Sequence, residues 1–302
     1  MKKLPMLFSS LFLVAIIACE ETPAEPEPPT PPKSGISRGA GDISFSDYSP
    51  ISNRPLKVWY YAPQDSIKEL EVVFVMHGLG RNGRDYRDNW IGLANQYNCL
   101  ILVPEFSDAQ YPGSRSYNLG NLFDENDQPN AEEEWSFSIM DALFSHIQEE
   151  YSVRADSFYL FGHSAGSQFV HRYLLFRPEN KAKMAIAANA GWYTLPKLDE
   201  AFPYGLQDAP ATEENIRKAF AKRMLILLGT EDNDPNASSL RKTPEANAQG
   251  AHRFARGNFF FQLARDQATQ LNTPFNWSLQ TVEGVGHSNS LMAAPAAEQF
   301  FK

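Results

Sequence analysis

The segment GHSAG, residues 162–166, places Ser164 in a Gly-x-Ser-x-Gly pattern between the apolar run SFYLF and a helix-like segment. In this setting the pattern is typical of a sharp strand-to-helix turn that exposes the serine hydroxyl, whereas alone it could be a plain glycine-rich turn. A serine hydroxyl is a weak nucleophile and needs an imidazole base that a carboxylate orients. Ser164 is therefore the candidate nucleophile, and its base and acid must come from elsewhere in the chain.

The candidate bases are the six histidines of the chain, His77, His146, His163, His171, His252 and His287. His287, in GVGHS, lies in a loop directly after the last predicted strand and downstream of Ser164, so we predict it to be the base. His252 lies in an irregular stretch and is the reserve candidate. We expect structural roles for the other four, with His77 of MHGLG holding its loop by a hydrogen bond.

The candidate acids lie in LLGTEDNDPN, residues 227–236, which follows the apolar run MLIL and carries three carboxylates. An α/β arrangement with the chain order Ser…Asp…His needs an acid at this point, between the nucleophile and the base. Asp232, three residues past Gly229, is the predicted orienting acid. Asp234 precedes a proline, which favours extended geometry and a turn, and it remains the alternative together with Glu231.

The same stretch could instead bind calcium, because Asp232, Asp234 and Asn236 match the first three ligand positions of a calcium loop. Ala237 replaces the glycine that such a loop needs, and Thr243 stands where its bidentate glutamate belongs. We therefore predict no metal site in this stretch.

The elements that must position these residues alternate along the chain. Strands are predicted at PLKVWYYAP, LEVVFVMHGLG, CLILVPEF, SFYLFGH, KMAIAANA, MLILLGT and NWSLQTVEG, and helices at DYRDNWIGLANQYN, AEEEWSFSIMDALFSHIQEEY, AGSQFVHRYLLF, NFFFQLARDQATQL and AAPAAEQFFK. This alternation predicts an α/β fold, with a mostly parallel central sheet and helices on both faces. Such a sheet presents its ligand site at the carboxyl ends of the strands, where Ser164, Asp232 and His287 are expected to meet.

Other residues at that edge are candidates for contact with substrate. The backbone N–H groups of Leu79 and Ala165 are the predicted oxyanion donors, the second at the positive end of a helix. Trp192 and Tyr193 could offer an aromatic surface or could pack against the adjacent insertion. Arg241, Arg253 and Arg256 could meet an acidic group, although tethering or solvated roles are expected for them.

Composition limits the partners of the protein. The chain has 302 residues, 43% of them hydrophobic, and a formal net charge of −9. This supports a sizeable core and disfavours nucleic acid, which is bound by clustered Lys and Arg. Cys99 is the only cysteine after Cys19, so the body holds no disulfide, and its apolar setting predicts a buried side chain. The oligomeric state is left open.

The N-terminus is typical of a targeting segment, with Lys2 and Lys3 before a short apolar run, residues 7–17. Its end, IIAC, resembles the lipobox of bacterial lipoproteins. That resemblance implies a signal peptide over residues 1–18, a lipid on Cys19, and membrane tethering at the bacterial cell envelope. An ordinary signal peptide with a chance cysteine is the alternative. Proline is dense in the following residues, so we predict a stiff linker over 19–41 and a single domain over 42–302.

The element order together with MHGLG, GHSAG, GTED and GVGH resembles the α/β-hydrolase superfamily over residues 55–302. Within it, the chain is most similar to secreted feruloyl and acetyl-xylan esterases and polyhydroxyalkanoate depolymerases. The resemblance implies a cofactor-free serine hydrolase that cleaves bulky or polymer-derived carboxylic esters through an acyl-enzyme. A serine peptidase of the same fold and a non-catalytic surface binding protein are the alternatives.

Overall fold

The computed structural model describes Met1 and residues 35–302. Residues 2–34, which contain the rest of the predicted signal peptide, Cys19 and most of the predicted linker, lie outside the described residues. Among the residues described, none of the helices is both long and apolar enough to cross a bilayer.

The centre of the fold is a single eight-stranded sheet. Its strands are β1 (Gly39–Phe45), β2 (Leu56–Ala62), β3 (Glu71–Met76), β4 (Cys99–Glu105), β5 (Phe158–His163), β6 (Ala182–Ala188), β7 (Met224–Gly229) and β8 (Trp277–Val282). Their spatial order is β1-β2-β4-β3-β5-β6-β7-β8. β2 pairs antiparallel with both β1 and β4, and all other pairings are parallel. The predicted α/β class with a mostly parallel sheet is confirmed.

Helices cover both faces of this sheet. They are α1 (Gly83–Tyr97), α2 (Ser136–Glu150), α3 (Ala165–Phe176), α4 (Glu213–Ala221), α5 (Pro244–Ala248), α6 (Arg253–Gln270) and α7 (Asn289–Phe300). Side chains of α2, α3, α4 and α6 pack in one apolar cluster, and those of α1 and α7 in a second. Along β3, Phe74 belongs to the first cluster while Val73 and Val75 belong to the second. This alternation explains the unbroken apolar run, because successive side chains point to opposite, equally buried faces.

The structure differs from the sequence-based prediction at several places, and neither α4 (Glu213–Ala221) nor α5 (Pro244–Ala248) was predicted. β1 was not predicted, and it spans the expected boundary between residues 41 and 42; its GAGDISF sequence buries few side chains, and it is a strand through its pairing with β2. The acids Glu132–Glu134 form a separate 3₁₀ turn, so α2 begins only at Ser136. The last helix begins at Asn289, where Ser288 accepts a hydrogen bond from the N–H of Leu291.

Candidate active site

Ser164 occupies a sharp turn between β5, which ends at His163, and α3, which begins at Ala165. Its backbone lies at φ 59° and ψ −115°, a strained conformation for a residue with a side chain. The flanking glycines allow the turn. A Cβ on Gly162 would lie 2.2 Å from the carbonyl oxygen of Gly166, and one on Gly166 would lie 2.0 Å from that of Met76. The GHSAG segment therefore forms the strand-to-helix turn that its sequence predicts.

A chain of hydrogen bonds joins the three residues predicted to act together. Ser164 Oγ lies 3.0 Å from His287 Nε2, and His287 Nδ1 lies 2.7 Å from Asp232 Oδ2. Asp232 is 5% exposed, whereas the His287 side chain is 27% exposed. Because a carboxylate only accepts, Nδ1 donates to Asp232 and leaves Nε2 free to accept the serine proton.

The structure also separates the three carboxylates of residues 227–236. Asp232 lies in the turn after β7, where its N–H donates to the carbonyl of Gly229 at 3.1 Å. Asp234 is exposed, and its carboxylate accepts from the N–H of Asn236 at 2.7 Å, which is a local turn contact. Glu231 is exposed as well. Of the three, it is Asp232 that lies beside His287.

The loop carrying His287 is attached directly to the end of β7. A Cβ on Gly229 would lie 2.3 Å from the carbonyl oxygen of Val285, so glycine permits the close approach of the two segments. Asn189, just after β6, accepts from the N–H of Gly229 at 2.9 Å and donates to the carbonyl of Gly286 at 3.2 Å. Asn189 thus links the acid segment to the base segment, a role that no motif in the sequence indicated.

Arg253 is the second partner of the buried acid. Its Nη1 lies 3.3 Å from Asp232 Oδ1, and its Nη2 donates to Ser239 Oγ at 2.8 Å. The side chains of Arg253 and Asp232 are 3% and 5% exposed. Arg253 therefore occupies the carboxylate oxygen that His287 leaves free, so both oxygens of the acid are held.

The two predicted oxyanion donors lie beside the serine. The ideal Cβ position of Gly78 is 3.7 Å from the Ser164 Cβ, so the MHGLG loop passes directly over the nucleophile. Leu79 and Ala165 both line the cleft around Ser164. The Leu79 side chain points to solvent, being 59% exposed, which leaves its backbone as the part able to face a reacting oxygen. Ala165 is the first residue of α3, where helical N–H groups are unpaired.

Solved structures with a similar architecture identify the superfamily of the chain. Poly(aspartic acid) hydrolase-1 from Sphingomonas sp. KT-1 is 40% identical, with a TM-score of 0.86 over 88% of this chain and 100% of that one. LpqC, a poly(3-hydroxybutyrate) depolymerase from Bordetella parapertussis, is 36% identical, with a TM-score of 0.83 over 87% of this chain and 90% of that one. The chain belongs to the α/β-hydrolase superfamily.

A more distant likeness supports the same fold. Acetyl xylan esterase from Aspergillus awamori is 13% identical to the hydrolase, with a TM-score of 0.54 over 87% of this chain and 98% of that one. No protein-family model and no curated protein sequence matches the chain. The predicted resemblance to esterases and depolymerases of this superfamily is therefore confirmed by solved structures.

His163 packs against the catalytic candidate in the hydrolase. Its ring centroid is 4.5 Å from that of His287, and its Nδ1 lies 3.2 Å from the hydroxyl of Tyr86. Burial, and then the proximity of His287 and Arg253, hold the pKa of His163 well below its ordinary value. His163 is thus a neutral ring that packs against one side of His287, in agreement with the packing role predicted for it.

The remaining histidines of the hydrolase have structural contacts. His77 Nε2 accepts from the N–H of Phe106 at 3.1 Å, the predicted loop-holding hydrogen bond, and burial lowers its pKa to about 4. His171 accepts from the N–H of Thr194 at 3.0 Å. His146 lies 3.6 Å from a surface carboxylate of Asp47. The reserve candidate, His252, is the N-cap of α6. None of these four contacts involves Ser164.

Trp192 and Tyr193 do not form the predicted aromatic surface. Tyr193 is fully buried and stacks on Phe260 with ring centroids 4.3 Å apart, so it lies in the core and not in the cleft. Trp192 lines the cleft but is only 4% exposed. Its ring is covered by the guanidinium carbons of Arg172 at 4.4 Å and Arg241 at 5.0 Å. Of the predicted pair, only a small part of Trp192 is open to a ligand.

Residues 237–257, which follow the segment of the candidate acid, contribute one wall of the hydrolase cleft. Ser238 to Arg241 and Arg253 line it. Arg256 is fully buried behind them and donates to four acceptors, three of which are the carbonyls of Gly191, Arg241 and Gly250. Arg256 therefore has the tethering role that the sequence suggested for this group of arginines.

Within residues 35–302, no group of three or more His, Cys, Asp or Glu side chains is arranged to hold a metal ion. Cys99 is buried, and burial raises the pKa of its thiol to about 12, which disfavours the reactive thiolate.

Proposed function

We propose that the protein is a serine carboxylic-ester hydrolase that acts through an acyl-enzyme on bulky or polymer-derived extracellular esters. The observation that carries the proposal is the hydrogen-bonded chain from Ser164 Oγ through His287 to the buried carboxylate of Asp232. This order of nucleophile, base and acid is the one that activates a serine hydroxyl.

The reaction follows from the positions of these atoms. Ser164 Oγ attacks the ester carbonyl carbon while its proton passes to His287 Nε2, and Asp232 stabilises the imidazolium through Nδ1. Collapse of the tetrahedral intermediate breaks the bond to the alcohol, which leaves with the proton from Nε2. Water then loses a proton to His287 Nε2 and attacks the acyl-enzyme. Collapse of this second tetrahedral intermediate breaks the bond between the acyl carbon and Ser164 Oγ, Oγ takes the proton back from Nε2, and the carboxylic acid is released.

The N–H groups of Leu79 and Ala165 are the proposed donors to the oxyanion of both tetrahedral intermediates. Each such donor typically contributes about 3 kcal/mol of transition-state stabilisation. Because the contribution comes from the main chain, replacing the Leu79 side chain by alanine should change activity little.

A large substrate is supported by the size of the cleft, about 950 Å³. This lies at the upper end of the usual range for ligand pockets, roughly 300–1,000 Å³. The likeness at 36% identity to a poly(3-hydroxybutyrate) depolymerase supports a polymeric ester.

Amide hydrolysis is the second candidate, and one observation favours it. The chain is 40% identical to a protein described as a poly(aspartic acid) hydrolase, and the bonds between aspartate units are amides. The same triad chemistry cleaves both bond types, with an amine in place of the alcohol as leaving group.

Lipid anchoring through Cys19 at the bacterial cell envelope is part of the proposal and is supported by the IIAC segment of the sequence. Metabolic labelling with a radioactive fatty acid should mark the wild-type chain and not a Cys19→Ser variant. Equal labelling of the two would remove the anchor from the proposal.

Turnover of p-nitrophenyl butyrate tests the reaction. We expect Ser164→Ala to lose activity by several orders of magnitude and to escape labelling by a fluorophosphonate, while Ser238→Ala, at an exposed cleft serine, stays active and labelled. Equal turnover by wild type and Ser164→Ala would refute the proposal. Parallel assays on poly(3-hydroxybutyrate) and poly(aspartic acid) then decide between ester and amide.

A further inference from the structure

Gln168 lies one helical turn after the nucleophile on α3, with its N–H donating to the Ser164 carbonyl at 3.1 Å. The residue is 8% exposed, and it lines the cleft. Neighbours at this spacing on a helix have Cβ atoms about 5–6 Å apart. The Gln168 amide is therefore close enough to touch a group a few bonds away from the carbon that Ser164 attacks.

The orientation of this amide is determined by its neighbours. Gln168 Oε1 accepts from Asn118 Nδ2 at 2.9 Å and from Arg172 Nη1 at 3.3 Å. A guanidinium can only donate, so the atom of Gln168 that faces Arg172 must be the oxygen. The nitrogen, Nε2, therefore points away from Arg172, and the usual ambiguity of amide assignment does not apply here.

Nε2 has no acceptor among the described residues, although the side chain is more than nine-tenths buried. It faces Gly191, where an ideal Cβ would lie 3.2 Å from Nε2. Apart from Gly191 and its two chain neighbours, the described residues place no other atom within 4 Å of that position. Gly191 also lines the cleft. The glycine thus leaves an open space in front of an unpaired donor, large enough for a ligand atom.

The surroundings strengthen this donor. Arg172 is fully buried, and its hydrogen bonds go to the neutral groups of Thr194, Asn118 and Gln168 and not to a carboxylate. Its charge polarises the Gln168 amide through Oε1, which makes the Nε2 protons better donors. Arg241 is exposed and also lines the cleft. The subsite is therefore positive in a chain whose formal charge is −9.

We propose that Gln168 is a specificity-determining residue whose Nε2 binds a second oxygen acceptor of the acyl group, such as the carbonyl of the adjoining unit in a polymer. The acyl group is the part of the substrate that stays attached to Ser164, so the contact serves both half-reactions. This inference rests on the proposed serine hydrolase function and adds to it the class of acyl group, one that carries a second carbonyl a few bonds from the scissile carbonyl.

The test compares p-nitrophenyl 4-oxopentanoate with p-nitrophenyl pentanoate, which differ by one carbonyl oxygen. The ratio of their kcat/KM values is divided by the ratio of their rates of hydroxide hydrolysis. One hydrogen bond of this kind should make the corrected ratio about tenfold in favour of the oxo ester. Gln168→Met removes the donor with little change in shape, and we expect the ratio to fall to about 1.

A second variant guards against misfolding of the first. Gly191→Ala keeps the Gln168–Asn118–Arg172 contacts but places a methyl group in front of Nε2, and we expect it also to abolish the preference. The control is Asn89→Leu, at an exposed amide on α1 that lines the same cleft, which should keep the wild-type ratio.

The outcomes are distinguishable. A corrected ratio that stays the same in wild type, Gln168→Met and Gly191→Ala would overturn the role of Gln168, even if Ser164 proves essential. Turnover that survives Ser164→Ala would instead overturn the proposed function itself.

Discussion

Replacing Asp232 by asparagine should inactivate the enzyme through the tautomer of His287. Arg253 Nη1 lies 3.3 Å from one carboxylate oxygen, and His287 Nδ1 lies 2.7 Å from the other. Because a guanidinium only donates, the introduced amide must turn its oxygen to Arg253 and its NH₂ group to His287. His287 Nδ1 then has to accept, so the imidazole proton moves to Nε2, and Nε2 can no longer take the proton of Ser164.

A base held in the wrong tautomer lowers kcat by about 10⁴ in a serine protease triad, and we expect a similar loss for Asp232→Asn. Asp234→Asn is the matched control, because that residue is exposed and its contact is with the nearby N–H of Asn236. An amide oxygen accepts this bond equally well, so the control should retain activity within about twofold. The assay is kcat/KM for p-nitrophenyl butyrate, with circular dichroism as the check on folding.

The role of Arg253 makes the prediction sharper. In an Asp232→Asn/Arg253→Met double variant the amide is free to turn its oxygen to His287, which restores the useful tautomer. Activity should therefore rise about tenfold above that of Asp232→Asn alone, a coupling expected only for side chains in contact. Greater damage from Asp234→Asn than from Asp232→Asn would refute the choice of acid, and a double variant no better than the single one would refute the tautomer argument.

Three further predictions concern positioning and stability. Gly166→Ala should lower the free energy of unfolding in urea titrations by more than about 2 kcal/mol, since its Cβ would lie 2.0 Å from the Met76 carbonyl oxygen. Gly92→Ala, within α1, is the control and should raise the free energy of unfolding by about 0.5–1 kcal/mol, because its Cβ would meet no described side chain within 4 Å. Asn189→Gly still allows the backbone conformation with φ 49° but removes the side-chain hydrogen bonds to Gly229 and Gly286. We therefore expect kcat to fall about tenfold while the circular dichroism spectrum stays unchanged. Burial lowers the pKa of His77 to about 4, so between pH 6.5 and that value the unfolded chain binds a proton that the folded chain does not. The free energy of unfolding of the protein should then decrease as the pH is lowered, by up to about 1.4 kcal/mol per pH unit. In urea titrations at pH 7, 6 and 5, His77→Gln should show a smaller decrease than the wild type.

The parts of the site that depend on local backbone geometry were predictable from sequence. The turn at Ser164 needs two glycines, a preceding apolar strand and a following helix, and all of these lie within residues 158–176. The parallel sheet was predictable for a similar reason, since strands buried on both faces read as unbroken apolar runs. Sequence reasoning failed at β1, whose strand character depends on pairing with β2 and not on its own composition.

Contacts between distant residues were decided by the tertiary structure. His287 meets Ser164 through Nε2 across 123 residues and Asp232 through Nδ1 across 55, and chain order could suggest these partners but not their distances. No sequence motif marks Arg253 as the second partner of Asp232, because its role depends on facing the buried carboxylate oxygen of that residue. The sequence allowed Tyr193 to contact substrate, but its packing against Phe260 places it in the core.

The sequence by itself therefore determined the fold class, and it also indicated the candidate nucleophile and the chain order of the candidate triad, because these depend on short-range steric and periodic patterns. The tertiary structure alone decided which carboxylate oxygen faces which donor, that the ring of His163 packs on that of His287, and that Gln168 Nε2 has no acceptor within residues 35–302. Each of these depends on the direction of a side chain at the sheet edge, which is set by neighbours far away in the chain.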